Sequence, residues 1–168
     1  AHIIPMHHAD SIEVIEFLKK LTLGGQPKES LLFSIGCELL RGNSNPHVRA
    51  FLKEYEVPLV EVPRPIPEAF DLLGTTYQYL NSKKENLEKG SFYTAKTVAI
   101  DFVSDLSFSN GEVILDPSCG SGVFLFRSAA SASQIYGVDF DPIAIMIAKF
   151  NYFLKFPDAL PPNLFHED

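Results

Sequence analysis

The sequence predicts an α/β protein, with a helical first part followed by the opening units of a parallel sheet. Three observations predict it. Through the first 67 positions, apolar residues recur at helical spacing between glycine, proline and asparagine breaks. From Val113 onward the order becomes short strand, glycine turn, helix, short strand, helix. That order is the start of a βαβ sheet with a right-handed crossover. Both short strands end in an acid, Asp116 and Asp139. The length of 168 residues suits about one domain with a small extension.

The elements follow in order. Asp10 can cap a first helix, with Glu13 in a capping-box relation and Ile12, Ile15 and Leu18 on one face. Gly24-Gly25-Gln26-Pro27 ends it, and a second apolar segment runs from Ser30 to Leu40. Asn45-Pro46 is an N-cap followed by proline at the first helical position, which starts a third helix through Glu54. Residues 57–67 carry four prolines and must be extended, because each proline also biases its predecessor away from the helix. We read residues 1–67 as a helical segment ending in this connector, and residues 68–168 as a second unit. A helix is expected over Glu68 to Ser82, with Phe70, Leu73, Tyr77 and Leu80 on one face. Lys83 to Gly90 is a charged loop in which Lys83, Lys84 and Lys89 alternate with Glu85 and Glu88, a solvated pattern rather than a nucleic-acid contact. Lys96 to Leu106 reads as a helix, Val113 to Asp116 as a fully apolar strand, and Gly122 to Ala130 as a helix. Gln134 to Val138 is the second strand. Asp141-Pro142 starts the last helix, with Ile143, Met146, Ile147, Phe150 and Leu154 as its apolar stripe.

Composition excludes several classes. With 46% hydrophobic and 21% charged residues the chain is neither disordered nor collagen-like. No apolar run approaches the ~18–20 residues of a membrane span, and the N-terminal residues lack a signal-peptide pattern. Cys37 and Cys119 form no CxxC and imply a reducing, cytoplasmic setting rather than a disulfide framework. The net charge is −7, and it is uneven. Residues 101–168 hold 3 basic and 9 acidic side chains. A free-standing nucleic-acid binder usually shows a basic footprint, and none is present. His2, His7 and His8 have no carboxylate or cysteine at ligand spacing, so no metal site is assigned.

The turn at Pro117-Ser118-Cys119-Gly120-Ser121-Gly122 lies where open α/β sheets bind ligands. It is not a phosphate loop, since no GxxxxGK(S/T) run exists. Against a GxGxxG fingerprint, Leu125 stands in place of the third glycine, which argues against a pyrophosphate. Asp116, just before the turn, would repel phosphate and suits an amine or a cation. Asp139, 23 residues later at the end of the next strand, is placed to accept from ribose hydroxyls. Phe140 can lie against a base. The pattern asks for a nucleoside with positive charge and no pyrophosphate, and S-adenosylmethionine fits. Cys119 has no histidine near it in sequence and is read as a packed loop residue, not a nucleophile. Asp141 is read as a helix cap.

Leu115-Asp116-Pro117-Ser118-Cys119-Gly120-Ser121-Gly122-Val123-Phe124-Leu125 resembles the cofactor motif of N6-adenine DNA methyltransferases from restriction–modification systems. Gly90-Ser91-Phe92-Tyr93-Thr94-Ala95-Lys96 is similar to the G-x-(F/Y)-(Y/F)-T-P run those enzymes place before the first strand, with Ala95 where proline is usual. Gly137-Val138-Asp139-Phe140-Asp141-Pro142 resembles their second motif, and Asn163-Leu164-Phe165-His166-Glu167-Asp168 their third. The resemblance covers residues 68–168. It implies a partial Rossmann-like S-adenosylmethionine-dependent methyltransferase fold preceded by a helical segment. It also implies roles: Tyr93 and Thr94 near the methionine end of S-adenosylmethionine, Asp116 at its amino group, Pro117 among the cofactor-binding residues, and Gly120 and Gly122 giving the backbone room. Asp139 would take the ribose, Phe140 the adenine face and Asp168 the adenine amino group.

These enzymes also carry a catalytic (D/N/S)PP(Y/F/W) motif whose aromatic stacks on a flipped base. Here the nearest run is Leu160-Pro161-Pro162-Asn163, with no polar residue before the prolines and no aromatic after them, and we read it as a loop. The expectation is therefore an N-terminal portion of such an enzyme that holds cofactor and is inactive alone, with no catalytic residue of its own. Double-stranded DNA would be gripped through other parts of the protein, and restriction or specificity subunits are expected partners. The alternatives are a non-catalytic binding module or partner subunit that completes a site in trans, and an RNA methyltransferase portion.

Overall fold

The computed structural model describes residues 8–21, 25–82, 108–109, 111–129 and 131–167. The expected loop at Lys83 to Gly90 and helix at Lys96 to Leu106 lie outside these residues, as do Tyr93, Thr94 and Asp168.

Four helices come first. Helix α1 (His8–Leu21) buries Val14, Phe17, Leu18 and Leu21, an i, i+3, i+4, i+7 stripe. This corrects two expectations. Asp10 lies inside the first turn rather than at a cap, and Ile12 faces solvent, because the stripe that meets α4 is centred on Phe17 and Leu18. Helix α2 (Lys28–Leu39) is buried from Ser30 to Gly36. Its Ser34 hydroxyl donates to the Ser30 carbonyl and accepts the Val60 N–H at 2.9 Å, which pins the extended proline-rich connector. Helix α3 (Pro46–Lys53) has the expected Asn45 cap, whose side chain accepts the His47 N–H at 3.0 Å. The same side chain donates to the carbonyls of Pro157 and Ala159, 3.1 and 2.9 Å away.

Helix α4 (Leu72–Asn81) starts later than expected. Asp71 takes a left-handed conformation (φ 51, ψ 48) and its side chain accepts the Gly74 N–H, so residues 68–71 cannot continue the helix. The buried face is Leu72, Leu73, Thr75, Thr76 and Tyr79, whereas Phe70, Tyr77 and Leu80 are only half-buried.

The sheet is parallel, with strands β1 (Ile114–Asp116), β2 (Ile135–Asp139) and β3 (Asn163–His166) in that order among the described residues. Ile114 pairs with Ile135, and Asp139 with His166. Helix α5 (Val123–Ser128) follows β1 and ends at Ser128, with Ala129 extended, before the 3-10 segment Ala132–Gln134 that leads into β2. One face of the sheet is open: Leu115 of β1 is exposed, along with Tyr136 of β2 and Phe165 of β3. The opposite face carries Ile135, Gly137 and Leu164, which pack against helices.

Helix α6 (Pro142–Lys155) is the centre of the molecule. It buries Ala144 to Ala148, Phe150, Tyr152 and Phe153, while Leu154, expected in the stripe, points outward. It packs on α2, α4, α5 and the strands β2 and β3. Phe150 meets Phe51 of α3 edge-on at 4.9 Å between ring centroids, and Phe33 of α2 at 5.8 Å. A Cβ on Gly36 would lie 2.5 Å from the Phe150 ring, so only glycine allows α2 this close. The first helices and the βα units thus share one core.

Candidate functional site

The site is built at the carboxyl ends of β1 and β2, where the glycine turn, the β2–α6 turn and α4 border an open cleft of about 550 Å³. That volume is within the ~300–1,000 Å³ of small-molecule sites. Its walls include Gly120, Ser121, Asp139, Phe140 and Asp141 from the sheet side, and Gly74, Tyr77, Gln78 and Asn81 from α4.

Asp139 is buried at the end of β2. Its carboxylate accepts the Gly120 N–H at 2.9 Å on one oxygen and the Asp141 N–H at 2.9 Å on the other. Each oxygen keeps a further lone pair. Phe140, next in the chain, is 72% exposed and lines the cleft. Asp141 caps α6, as expected, by accepting the Ile143 N–H at 2.9 Å. Its second oxygen accepts the Tyr77 hydroxyl at 2.6 Å. Burial, followed by that hydrogen bond, holds the Tyr77 phenol above its usual pKa.

The turn takes its shape from its glycines. Gly120 has φ 55 and Gly122 φ 87, which side chains rarely adopt. A Cβ on Gly120 would meet nothing within 4 Å, so the glycine leaves open space at the cleft wall. A Cβ on Gly122 would collide with the Phe126 ring. Gly122 therefore serves the turn and its packing on α5 rather than the cleft.

The two residues that precede the turn behave differently. Asp116 turns its carboxylate back to accept the Ser118 N–H at 3.0 Å. Neither it nor Pro117 lines the cleft. Cys119 is buried, and desolvation, with the Asp116 and Asp139 carboxylates nearby, pushes its thiol up to about 12. A thiol held protonated in this way is a packing group, in line with the reading from sequence.

Three of the residues singled out from sequence, Gly120, Asp139 and Phe140, therefore meet in one cleft. Sequence reasoning missed the α4 wall. Tyr77, Gln78 and Asn81 have i, i+1, i+4 spacing, which marks one edge of a helix, but Tyr77 was counted with the core face. Ser121, between the two glycines, was also passed over. It lines the cleft and donates its hydroxyl to Asp71 at 2.8 Å.

The charge of the cleft wall bears on the kind of ligand it accepts. The described charged side chains on the cleft wall, Asp139 and Asp141, are both acidic. Such a wall opposes phosphate and favours a cation. Among the described residues no group of three or more His, Cys, Asp or Glu is placed to hold a metal ion. No helix among them is long and apolar enough to cross a membrane.

Comparison with known proteins gives relatives of one kind. A methylase subunit of the type I restriction enzyme MjaIX from Methanocaldococcus jannaschii is 31% identical over 97 residues, covering 51% of this chain and 17% of that protein. The type II methyltransferase M.VspI from a Vibrio species is 33% identical over 81 residues, covering 46% of this chain and 20% of that protein. The methylase subunit of MjaVII, also from M. jannaschii, is 28% identical over 99 residues, 54% of this chain and 17% of that protein. The match thus spans a fifth or less of the length of these relatives. No solved structure matches the chain. The family model for N-6 DNA Methylase matches residues 68–165, a stretch that begins where the proline-rich connector ends and takes in the whole cleft. The resemblance drawn from short motifs holds at this level: the chain belongs to the N-6 DNA methylase family.

Proposed function

We propose that this chain supplies the S-adenosylmethionine-binding part of a site-specific DNA adenine-N6 methyltransferase of a restriction–modification system, on a Rossmann-like methyltransferase sheet. The observation that carries the reading is the cleft itself. A buried strand-end carboxylate, an open glycine position and an exposed aromatic converge there, with acidic side chains as the described charged groups on its wall.

When bound, S-adenosylmethionine supplies a methyl group on a sulfonium. The chain's own residues bind and orient it. Asp139, already fixed by two N–H donors, offers its remaining lone pairs to the ribose hydroxyls without having to reorganise. Phe140 offers a ring face to the adenine. Asp116 is assigned the amino end from the sequence motif alone, since its carboxylate accepts the Ser118 N–H outside the cleft. We assign cofactor binding to these residues and not methyl transfer, because the sequence holds no (D/N/S)PP(Y/F/W) run to accept the target amino hydrogens. The net charge of −7 assigns the grip on DNA to other parts of the assembly, such as the specificity subunit of a type I system.

Calorimetric titration of the chain with S-adenosylmethionine tests this. Saturable binding is expected, weakened at least about tenfold in Asp139→Ala, the loss that one charge-assisted hydrogen bond accounts for. A folded chain that binds no cofactor, or a variant that binds as the parent does, overturns the reading.

A further inference from the structure

We propose that Asp71 is a positioning residue for the glycine turn, setting the cofactor loop from a point 50 residues earlier in the chain. The inference rests on the reading of the cleft as a cofactor site.

Asp71 is the positive-φ residue other than glycine among the described positions, at φ 51 and ψ 48. The left-handed conformation is one that side chains other than glycine adopt sparingly, and it persists where the surroundings demand it. The surroundings here are specific. The side chain is buried, and among the described residues it accepts three hydrogen bonds from three elements. One comes from the Gly74 N–H at 2.9 Å, the ordinary bond of a helix cap. The other two are not needed for capping. The Asn151 amide of α6 donates at 2.7 Å, and the Ser121 hydroxyl of the glycine turn donates at 2.8 Å.

Asn151 completes a ring, since its Nδ2 also donates to the Ser121 carbonyl at 3.0 Å. Ser121 is thereby held at both its hydroxyl and its carbonyl. It sits between Gly120 and Gly122, the two residues with the most conformational freedom in the turn. Asp139 fixes the Gly120 N–H on one side. Asp71 and Asn151 fix the next residue. Gly74 belongs to the same device, because a Cβ there would overlap the Asp71 carboxylate. Asp71 itself does not line the cleft, whereas Ser121 and Gly74 do. It acts through them, by removing freedom from a glycine turn before the ligand arrives.

The test uses the chain with Asp71→Gly, Asp71→Asn and Ser121→Ala. Two quantities are read: S-adenosylmethionine affinity, and amide hydrogen exchange at residues 118–122 without ligand. Glycine accepts the left-handed backbone but lacks the carboxylate. Asparagine also tolerates that backbone, and its oxygen can accept from Gly74 and Asn151 while its NH₂ donates to Ser121. Asp71→Gly and Ser121→Ala are expected to weaken binding about tenfold, the equivalent of one hydrogen bond, and to speed exchange across the turn. Asp71→Asn is expected to restore both. If Asp71→Gly lowers the melting temperature but leaves turn exchange and affinity at parent levels, Asp71 is only the cap of α4 and the proposal fails. If Asp71→Gly does not fold, Ser121→Ala decides, because it removes one hydroxyl from a half-buried position. If the parent chain binds no cofactor, the cofactor reading falls, and turn exchange in the variants alone supports or overturns the positioning role.

Discussion

Asp139 accepts the backbone N–H of Gly120 at 2.9 Å, so the last residue of β2 holds the turn that leaves β1. With its other oxygen on the Asp141 N–H, the carboxylate joins two turns that would otherwise be independent. The strand-end acid is therefore structural before any ligand arrives. Asp139→Asn keeps the size but sets an NH₂ against one of two N–H donors. It is expected to cost about 1–3 kcal/mol, the penalty of a buried donor left unsatisfied. Urea unfolding measures it. A variant as stable as the parent would show that the turns are held by other contacts.

The two glycines of the turn answer to different demands. Gly122→Ala sets a Cβ into the Phe126 ring at φ 87. Overpacking, at about 1–3 kcal/mol, adds to about 1–2 kcal/mol of left-handed strain. Gly120→Ala carries the left-handed strain alone, because its Cβ meets nothing within 4 Å. Gly122→Ala should therefore be the less stable variant. Gly120→Ala should lose more cofactor affinity for each degree of melting temperature lost, because its methyl group enters cleft space. Paired melting and titration curves check the order, and the reverse order would overturn this division of roles.

Cys119 supplies a prediction with pH. Its thiol is raised from 9.0 to about 12, first by burial and then by the Asp116 and Asp139 carboxylates. A raised folded-state value means that the unfolded chain gives up this proton more readily. The stability it contributes is complete below pH 9.0 and is lost as pH rises toward about 12. Alkaline melting curves should show this loss, and Cys119→Ala should flatten it. At pH 8 the native chain should be alkylated by iodoacetamide at the half-buried Cys37 before Cys119. Equal labelling of the two in the folded chain would contradict the packing described here.

Much of this was legible in the sequence because the signals were local. Asn45-Pro46 and Asp141-Pro142 each carry a cap and a helix-compatible proline in adjacent positions, and both helices start there. The strand-end acids and the glycine spacing of the turn are likewise signals carried by adjacent positions, although the turn itself is held by distant residues. The failures were tertiary. Residues 68–71 have nothing that forbids a helix. They leave it because Asp71 is drawn to Ser121 and Asn151, 50 and 80 positions away. Tyr77 looks apolar in a helical stripe, but its hydroxyl finds Asp141 across the cleft. The buried face of α1 lies one position away from the stripe through Ile12, because α4 selects which face it meets.

The aromatic cluster decides how the two halves of the chain unfold. Phe150 of α6 is fully buried and touches Phe33 of α2 and Phe51 of α3, while Phe153 meets Phe51 at 5.8 Å. Asn45 adds hydrogen bonds from the α3 cap to the loop after α6. One buried cluster spans both halves, so they should unfold together. Denaturant curves followed by tyrosine fluorescence and by far-ultraviolet circular dichroism are expected to coincide in one transition. Phe150→Ala should shift that whole transition by about 3–5 kcal/mol, the cost of a large buried ring and the cavity it leaves. Two separated transitions, with only the later one moved by Phe150→Ala, would mean that the helical half folds apart from the sheet and that the shared cluster is a contact between finished units.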